Sequence, residues 1–147
     1  MTGKDNRIEK ILAATSLRIH PHRFVLVSMP LSTLTLLKQR LSDIDSPFWS
    51  LSVEEAEVTV ILPITAWNTI TSYFSKTRVE EDYRVITLDV TVPWDVAGFL
   101  TKILGVLAQE NISCGLVSGF SRDHLIIKNK DLLRAIEILN QLIESAQ

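Results

Sequence analysis

Hydrophobic and polar positions alternate with two periods along this chain, and each change of period marks an element. Over residues 5–15, Ile8, Ile11 and Leu12 fall on one side among charged neighbours, the spacing of a short amphipathic helix. From Ser16 the period drops to two. Leu17 and Ile19 alternate with Arg18 and His20, Pro21 interrupts, and Phe24 to Val27 resume, which predicts strands over 17–20 and 23–29. Pro30-Leu31-Ser32 then opens a helix to about Leu41, with Ser32 as its N-cap and Leu34, Leu37 and Leu41 on one face. Trp49, Leu51 and Val53, then Val58, Val60 and Leu62, alternate with polar residues across a Glu54-Glu55 turn and read as a hairpin. A weaker helix covers Ile64 to Ser75, and the polar run Lys76 to Asp82 reads as a linker.

The second half is more regular. Across Tyr83 to Val92, residues Ile86, Leu88, Val90 and Val92 share one face of a strand. Pro93-Trp94-Asp95 turns into a helix with Asp95 as N-cap and Val96, Leu100, Ile103, Leu104 and Leu107 inward. Asn111 stands where a left-handed helix stop is needed. Two strands follow, 112–120 and 124–128. Asn129 caps a last helix whose stripe is Leu132, Ala135, Ile136, Leu139, Leu142 and Ile143.

The halves match in order: strand, proline turn, helix, strand, strand, helix. Val25, Val27, Met29, Pro30 and Ser32 recur as Leu88, Val90, Val92, Pro93 and Asp95 at an offset of 63, and Leu37 and Leu41 recur as Leu100 and Leu104. Past the helix the offset becomes 67, pairing Trp49, Val58 and Val60 with Leu116, Leu125 and Ile127. One long period occurring twice points to duplicated βαββα units. A ferredoxin-like βαββαβ unit needs a fourth strand, and neither half ends with one. The expected fold is therefore α+β: two ferredoxin-like units with antiparallel sheets and helices on one face, sharing or exchanging strands. Leu17 to His20 would add to one sheet, and strand 83–92 would be common to both units. The organisation expected is a helical extension over 1–15, a first, degenerate unit over 16–79 and a second over 80–147.

Composition narrows the function. The 147 residues are 46% hydrophobic and 22% charged, a globular balance that needs no metal or disulfide to fold. Cys114 stands alone, which excludes an intramolecular disulfide and fits a reducing cytoplasm. A net charge of −2 lacks the basic excess that phosphate backbones demand, so nucleic acid is not an expected partner. The polar opening Met1 to Asp5 and the absence of any apolar run near 18 residues signal neither secretion nor membrane insertion.

No catalytic constellation emerges. His20-Pro21-His22 reads as a solvated turn, His124 beside Asp123 as a loop hydrogen-bonder, Cys114 as a small core residue, and Glu54, Glu55 and Glu57 as a solvated turn. No phosphate loop is present, and neither cofactor nor metal is implied. One segment stands apart, Val92 to Leu100. A glycine in a first helical turn costs about 0.5–1 kcal/mol relative to alanine, so Gly98 calls for a reason. Either the helix presses close to a neighbour, or the bare amides of a helix start admit an anion such as a carboxylate. Thr35 holds the equivalent place in the first half, so such a site would be better formed in the second.

The run Pro93-Trp94-Asp95-Val96-Ala97-Gly98-Phe99-Leu100, then Ile112-Ser113, Ser118-Gly119-Phe120-Ser121-Arg122-Asp123-His124-Leu125-Ile126-Ile127-Lys128 and Asp131-Leu132 resembles the ACT domain, in particular its tandem CASTOR-like branch. Leu17 to Pro30, Phe48-Trp49-Ser50 and Glu54 to Leu62 are similar more loosely. The resemblance implies ACT-type units acting as a ligand-responsive regulatory module and not as an enzyme. Such units commonly bind amino acids at an interface between units, and the CASTOR branch includes a cytosolic arginine sensor. Carried over by position, Pro93, Trp94, Asp95, Val96, Gly98 and Phe99 match the ligand turn, with Asp95 for an α-ammonium and backbone amides for a carboxylate. Ser118, Phe120, Ser121 and Asp123 match the adjoining strand ends. Asp95 as a plain N-cap explains the same residue. Asn111 replaces a glycine common in the family, and the first half lacks the ligand-turn glycine.

The function expected is sensing of an amino acid or similar small zwitterion in the cytoplasm, with a homodimer or a regulatory protein as partner. The alternative from another class is an ACT-fold interaction scaffold without a ligand, which exposed Trp or Phe side chains would betray.

Overall fold

The computed structural model describes residues 6–147. In chain order its elements are α1 (Arg7–Ala14), β1 (Ser16–Ile19), β2 (Phe24–Pro30), α2 (Leu34–Leu41), β3 (Ser50–Val53), β4 (Glu57–Pro63), α3 (Ile64–Ile70), β5 (Arg78–Asp89), α4 (Phe99–Gln109), β6 (Cys114–Ser118), β7 (Asp123–Lys128) and α5 (Leu132–Ala146). Asp5, expected in the first helix, lies outside the described residues. The chain forms two compact units: His20–Arg84, and Val85–Gln147 together with residues up to Ile19. The division falls at 19/20 and 84/85, where the sequence suggested 79/80. Residues 6–19 group with the second unit.

In the unit His20–Arg84 the strand order is β3-β4-β2-β5. β2 pairs antiparallel with β4 on one side, from Phe24↔Pro63 to Pro30↔Glu57, and with the first part of β5 on the other, from Phe24↔Tyr83 to Ser28↔Arg78. Period-two alternation puts Val25, Val27 and Met29 of β2 and Val58, Val60 and Leu62 of β4 into one core with Leu37 and Leu41 of α2 and Trp67 and Ile70 of α3. The predicted hairpin is present, closed by the Glu54 amide donating to the Glu57 carbonyl at 2.9 Å.

Three expectations in this unit are corrected. Lys76 to Asp82 is not a linker, because β5 begins at Arg78 and satisfies the open edge of β2. The run looks polar because most of its side chains point to water, while Val79 packs against the core. Ser32 is not the N-cap: Leu31–Thr33 forms a 3₁₀ turn, Thr33 Oγ1 donates to the Pro30 carbonyl at 2.6 Å, and α2 starts at Leu34. His20 is not a solvated turn residue either. It is buried, with its ring 5.7 Å from Phe48 and 6.3 Å from Phe24.

In the other unit, the second part of β5 pairs antiparallel with β1, from Ser16↔Asp89 to Ile19↔Ile86, so the predicted strand at 17–20 does supply a fourth strand. β7 lies beside β5, and β6 pairs antiparallel with β7 at the outside. Ile86 and Leu88 of β5 and Leu125 and Ile127 of β7 face α4 and α5, meeting Phe99, Ile103, Leu107, Leu132, Ala135 and Leu139. Leu12 of α1, 1% exposed, completes this core. Asn111 adopts φ 57°, the left-handed stop expected after α4. Asn129 is not a cap; Asn129–Asp131 is a 3₁₀ turn, and α5 begins at Leu132. Strand β5 ends at Asp89, short of the expected Val92, and β6 is shorter than the 112–120 forecast. Among the described residues no helix is long and apolar enough to cross a membrane.

Candidate functional site

The site grows from the segment between β5 and α4. Proline at 93 donates no amide, and the Val96 amide donates back to the Pro93 carbonyl at 3.0 Å, closing a turn. The helix does not begin at Asp95. It begins at Phe99 behind Gly98, whose φ of 101° is left-handed and whose missing Cβ would stand 3.1 Å from Ile8 Cδ1 of α1. The close-packing explanation of this glycine is thus met by α1, and its conformation supplies a second one. Gly98 has no side chain with which to cap the helix start, and the amides of a first turn have no intrahelical partner.

The hairpin between β6 and β7 approaches this helix start. The Gly119 amide donates to the Arg122 carbonyl at 2.8 Å, and a Cβ on Gly119 would lie 2.9 Å from that oxygen, so the turn excludes any larger residue. Between the two segments lies a cavity of about 180 Å³. Nine of the ten residues singled out in the sequence line it: Pro93, Trp94, Val96, Gly98, Phe99, Ser118, Phe120, Ser121 and Asp123. Val92, Leu100, Thr101, Gly119 and Arg122 join them. Asp95 is not on the lining. Its Oδ2 accepts from Arg7 Nη1 at 3.0 Å on the side of α1, with the aspartate side chain 73% exposed. Asp95 thus lies off the lining, and Asp123 is the acidic residue on it.

Two aromatic rings flank the mouth. Trp94 is 73% and Phe120 88% exposed, and Trp94 Nε1 donates to the Phe120 carbonyl at 2.9 Å, tying the two segments together. Phe99, at 2% exposed, belongs to both the core and the cavity wall.

A charged network borders the site. Asp89, at the end of β5, accepts from Arg122 Nε at 2.7 Å and from Arg18 Nη2 at 2.9 Å. The Arg122 hydrogen bond, with Arg18 adding to it, holds the Asp89 carboxyl below the usual carboxylate range. Buried Thr87 shares a 2.8 Å hydrogen bond between its Oγ1 and His124 Nδ1. Burial pushes the His124 imidazole below its ordinary value, against the pull of Asp123. Burial likewise raises the Cys114 thiol to about 11, which keeps it protonated and unreactive at neutral pH. No group of three or more His, Cys, Asp or Glu able to hold a metal occurs among the described residues.

Arg122 was missed as a lining residue although it stands inside the run that carried the resemblance, because an arginine in a turn reads as solvated. The contact of α1 with the turn before α4 was missed too, since nothing local relates Arg7 and Ile8 to residues some ninety positions away. In the unit His20–Arg84 the corresponding cleft is wide and charged. Ser28 Oγ donates to Glu57 Oε2, Arg78 Nη2 donates to the same oxygen at 3.1 Å, and Lys76 and Glu54 stand nearby.

Residues 78–141 match the ACT domain family. The structure is similar over 94% of its length to 97% of a protein of unknown function from Vibrio cholerae described as a possible transport protein, with a TM-score of 0.66 and 18% identity. It is similar over 88% of its length to 34% of the aspartate kinase of Clostridium acetobutylicum, described as an allosteric enzyme, with a TM-score of 0.73 and 10% identity. The regulatory subunit of aspartate kinase from Thermus thermophilus matches at a TM-score of 0.63 and 11% identity, over 87% of this chain and 97% of that one. No curated protein matches in sequence. The chain thus has an α+β, ACT-like fold.

Proposed function

We propose that the protein is a non-catalytic regulatory module that binds an amino acid, or a similar small zwitterion, in the cavity between the helix start at Gly98 and the hairpin turn at Gly119. In this reading it consists of two ACT-type units of the CASTOR-like kind, a degenerate first and a ligand-binding second, which share the long strand β5. It acts in the cytoplasm, as a homodimer or on a regulatory protein partner.

The observation that carries the reading is that nine of the ten residues the resemblance points to line one cavity. Its chemistry suits a zwitterion. Uncapped amides at the start of α4 carry partial positive charge for a carboxylate, and Asp123 offers a counter-charge to an ammonium. Pockets of this kind pair an apolar wall with a few convergent polar groups.

Titration of the intact chain with each of the twenty amino acids, read by calorimetry and by shift of the melting temperature, tests the proposal. At least one amino acid is expected to bind and raise the melting temperature by mass action. Asp123→Asn is expected to weaken that ligand at least about tenfold, a loss of about 1.4 kcal/mol. The absence of any response across the panel would retire the proposal. A second reading, the ligand-free scaffold, is favoured by the exposure of Trp94 and Phe120. It would be left standing by that same silence.

A further inference from the structure

Resting on the reading of the cavity as an amino-acid site, we infer that it selects amino acids with an uncharged, apolar side chain. The argument is one of charge matching. Two charged side chains stand on the lining, Arg122 and Asp123. A zwitterionic head group carries one charge of each sign and uses both. Arg122 gives its Nε–H to Asp89, and the guanidinium has further donors for a carboxylate.

No third charge finds a partner. Asp95 Oδ2 is held by Arg7 at 3.0 Å on the side of α1, and both oxygens of Asp89 are occupied, by Arg122 and by Arg18. A cationic side chain would enter the cavity with no second acidic residue on the lining to receive it. An anionic one would compete with the ligand's own α-carboxylate for a single guanidinium. Either outcome leaves a desolvated charge uncompensated, which is costly.

The rest of the wall speaks for an apolar occupant. Trp94 and Phe120 hold large aromatic surfaces in water at the mouth, pinned by the 2.9 Å bond from the indole N–H to the Phe120 carbonyl. A neutral side chain laid against them removes water from both rings, and the held indole spares the entropy of ordering Trp94.

Calorimetric titration of the intact chain with leucine, phenylalanine, arginine and glutamate tests this selection. Leucine or phenylalanine is expected to bind at least about tenfold more tightly than arginine or glutamate. Trp94→Ala is expected to weaken the preferred ligand about tenfold and Trp94→Phe to retain most of its affinity, with melting temperatures close to that of the parent chain because the side chain is exposed. If arginine or glutamate binds as tightly as leucine, the selection is overturned while the amino-acid reading stands. If Trp94→Ala binds unchanged, the role of the aromatic mouth is overturned. If none of the twenty amino acids binds, the underlying reading falls and takes this one with it.

Discussion

At Gly98 two constraints coincide: a backbone φ of 101° and Ile8 Cδ1 standing 3.1 Å from where a Cβ would be. A left-handed non-glycine residue costs about 1–3 kcal/mol, so Gly98→Ala is expected to lower stability within that range in chemical denaturation. Adding Ile8→Ala to it should relieve only the steric share, which leaves most of the loss in place. His124 carries a different signature. Its folded pKa is depressed by burial, so the folded chain resists protonation more than the unfolded chain does. The neutral imidazole's contribution is present above the ordinary histidine value near 6.5 and is lost as pH falls through the window below it. Asp123 opposes the depression, and Arg122 and Arg18 reinforce it. Melting temperatures at pH 7.5 and pH 5.5 should therefore fall further for the parent chain than for His124→Gln. Equal slopes would show that His124 does not titrate differently on folding. At this scale the sequence exposed Gly98 as an anomaly but not its cause, because the residue that crowds it belongs to an element distant in the chain. Asp95 was misplaced for the complementary reason: a carboxylate near a helix start has several possible partners, and only the fold brings Arg7 to it.

Helix starts show what residue type can and cannot say about an element. Ser32, Asp95 and Asn129 all have the chemistry of an N-cap, yet the helices begin at Leu34, Phe99 and Leu132. Short polar side chains serve tight turns as readily as caps, and here each occupies the turn before the helix. The helix bodies were legible because a 3.6-residue stripe survives any shift of the start; Leu37, Leu41, Ile103, Leu107, Ala135 and Leu139 are all buried as expected. Strands were legible where one face is apolar and illegible where both faces meet water, which is why Arg78 to Asp82 passed for a linker. At twelve residues β5 is about 40 Å long at the usual rise per residue, and it has room to pair with β2 in its first part and β1 in its second. Helix α1 had a clear stripe in Ile8, Ile11 and Leu12. What the stripe rests on, α5 and the turn before α4, is invisible to periodicity.

At the scale of the whole molecule, the similar spacing of the two halves was readable in the sequence, whereas the pairing of β1 with the far part of β5 is a property of topology. The unit around the cavity is not contiguous: its fourth strand and one of its three helices come from residues before His20. A fragment spanning residues 80–147 keeps every nominated site residue but loses β1, α1 and Leu12. Removing Leu12 alone from a core it fills at 1% exposure corresponds to a loss of about 2–5 kcal/mol, and a domain of this size has only about 5–15 kcal/mol in total. The fragment also bares the edge of β5 that β1 covers with four paired residues, a surface prone to association. It is therefore expected to melt without a cooperative transition, or to aggregate, when followed by circular dichroism. The intact chain should unfold cooperatively under the same conditions. A fragment that melts sharply near the temperature of the intact chain would show that the cavity's unit stands without its borrowed strand, and that the strand's role lies elsewhere.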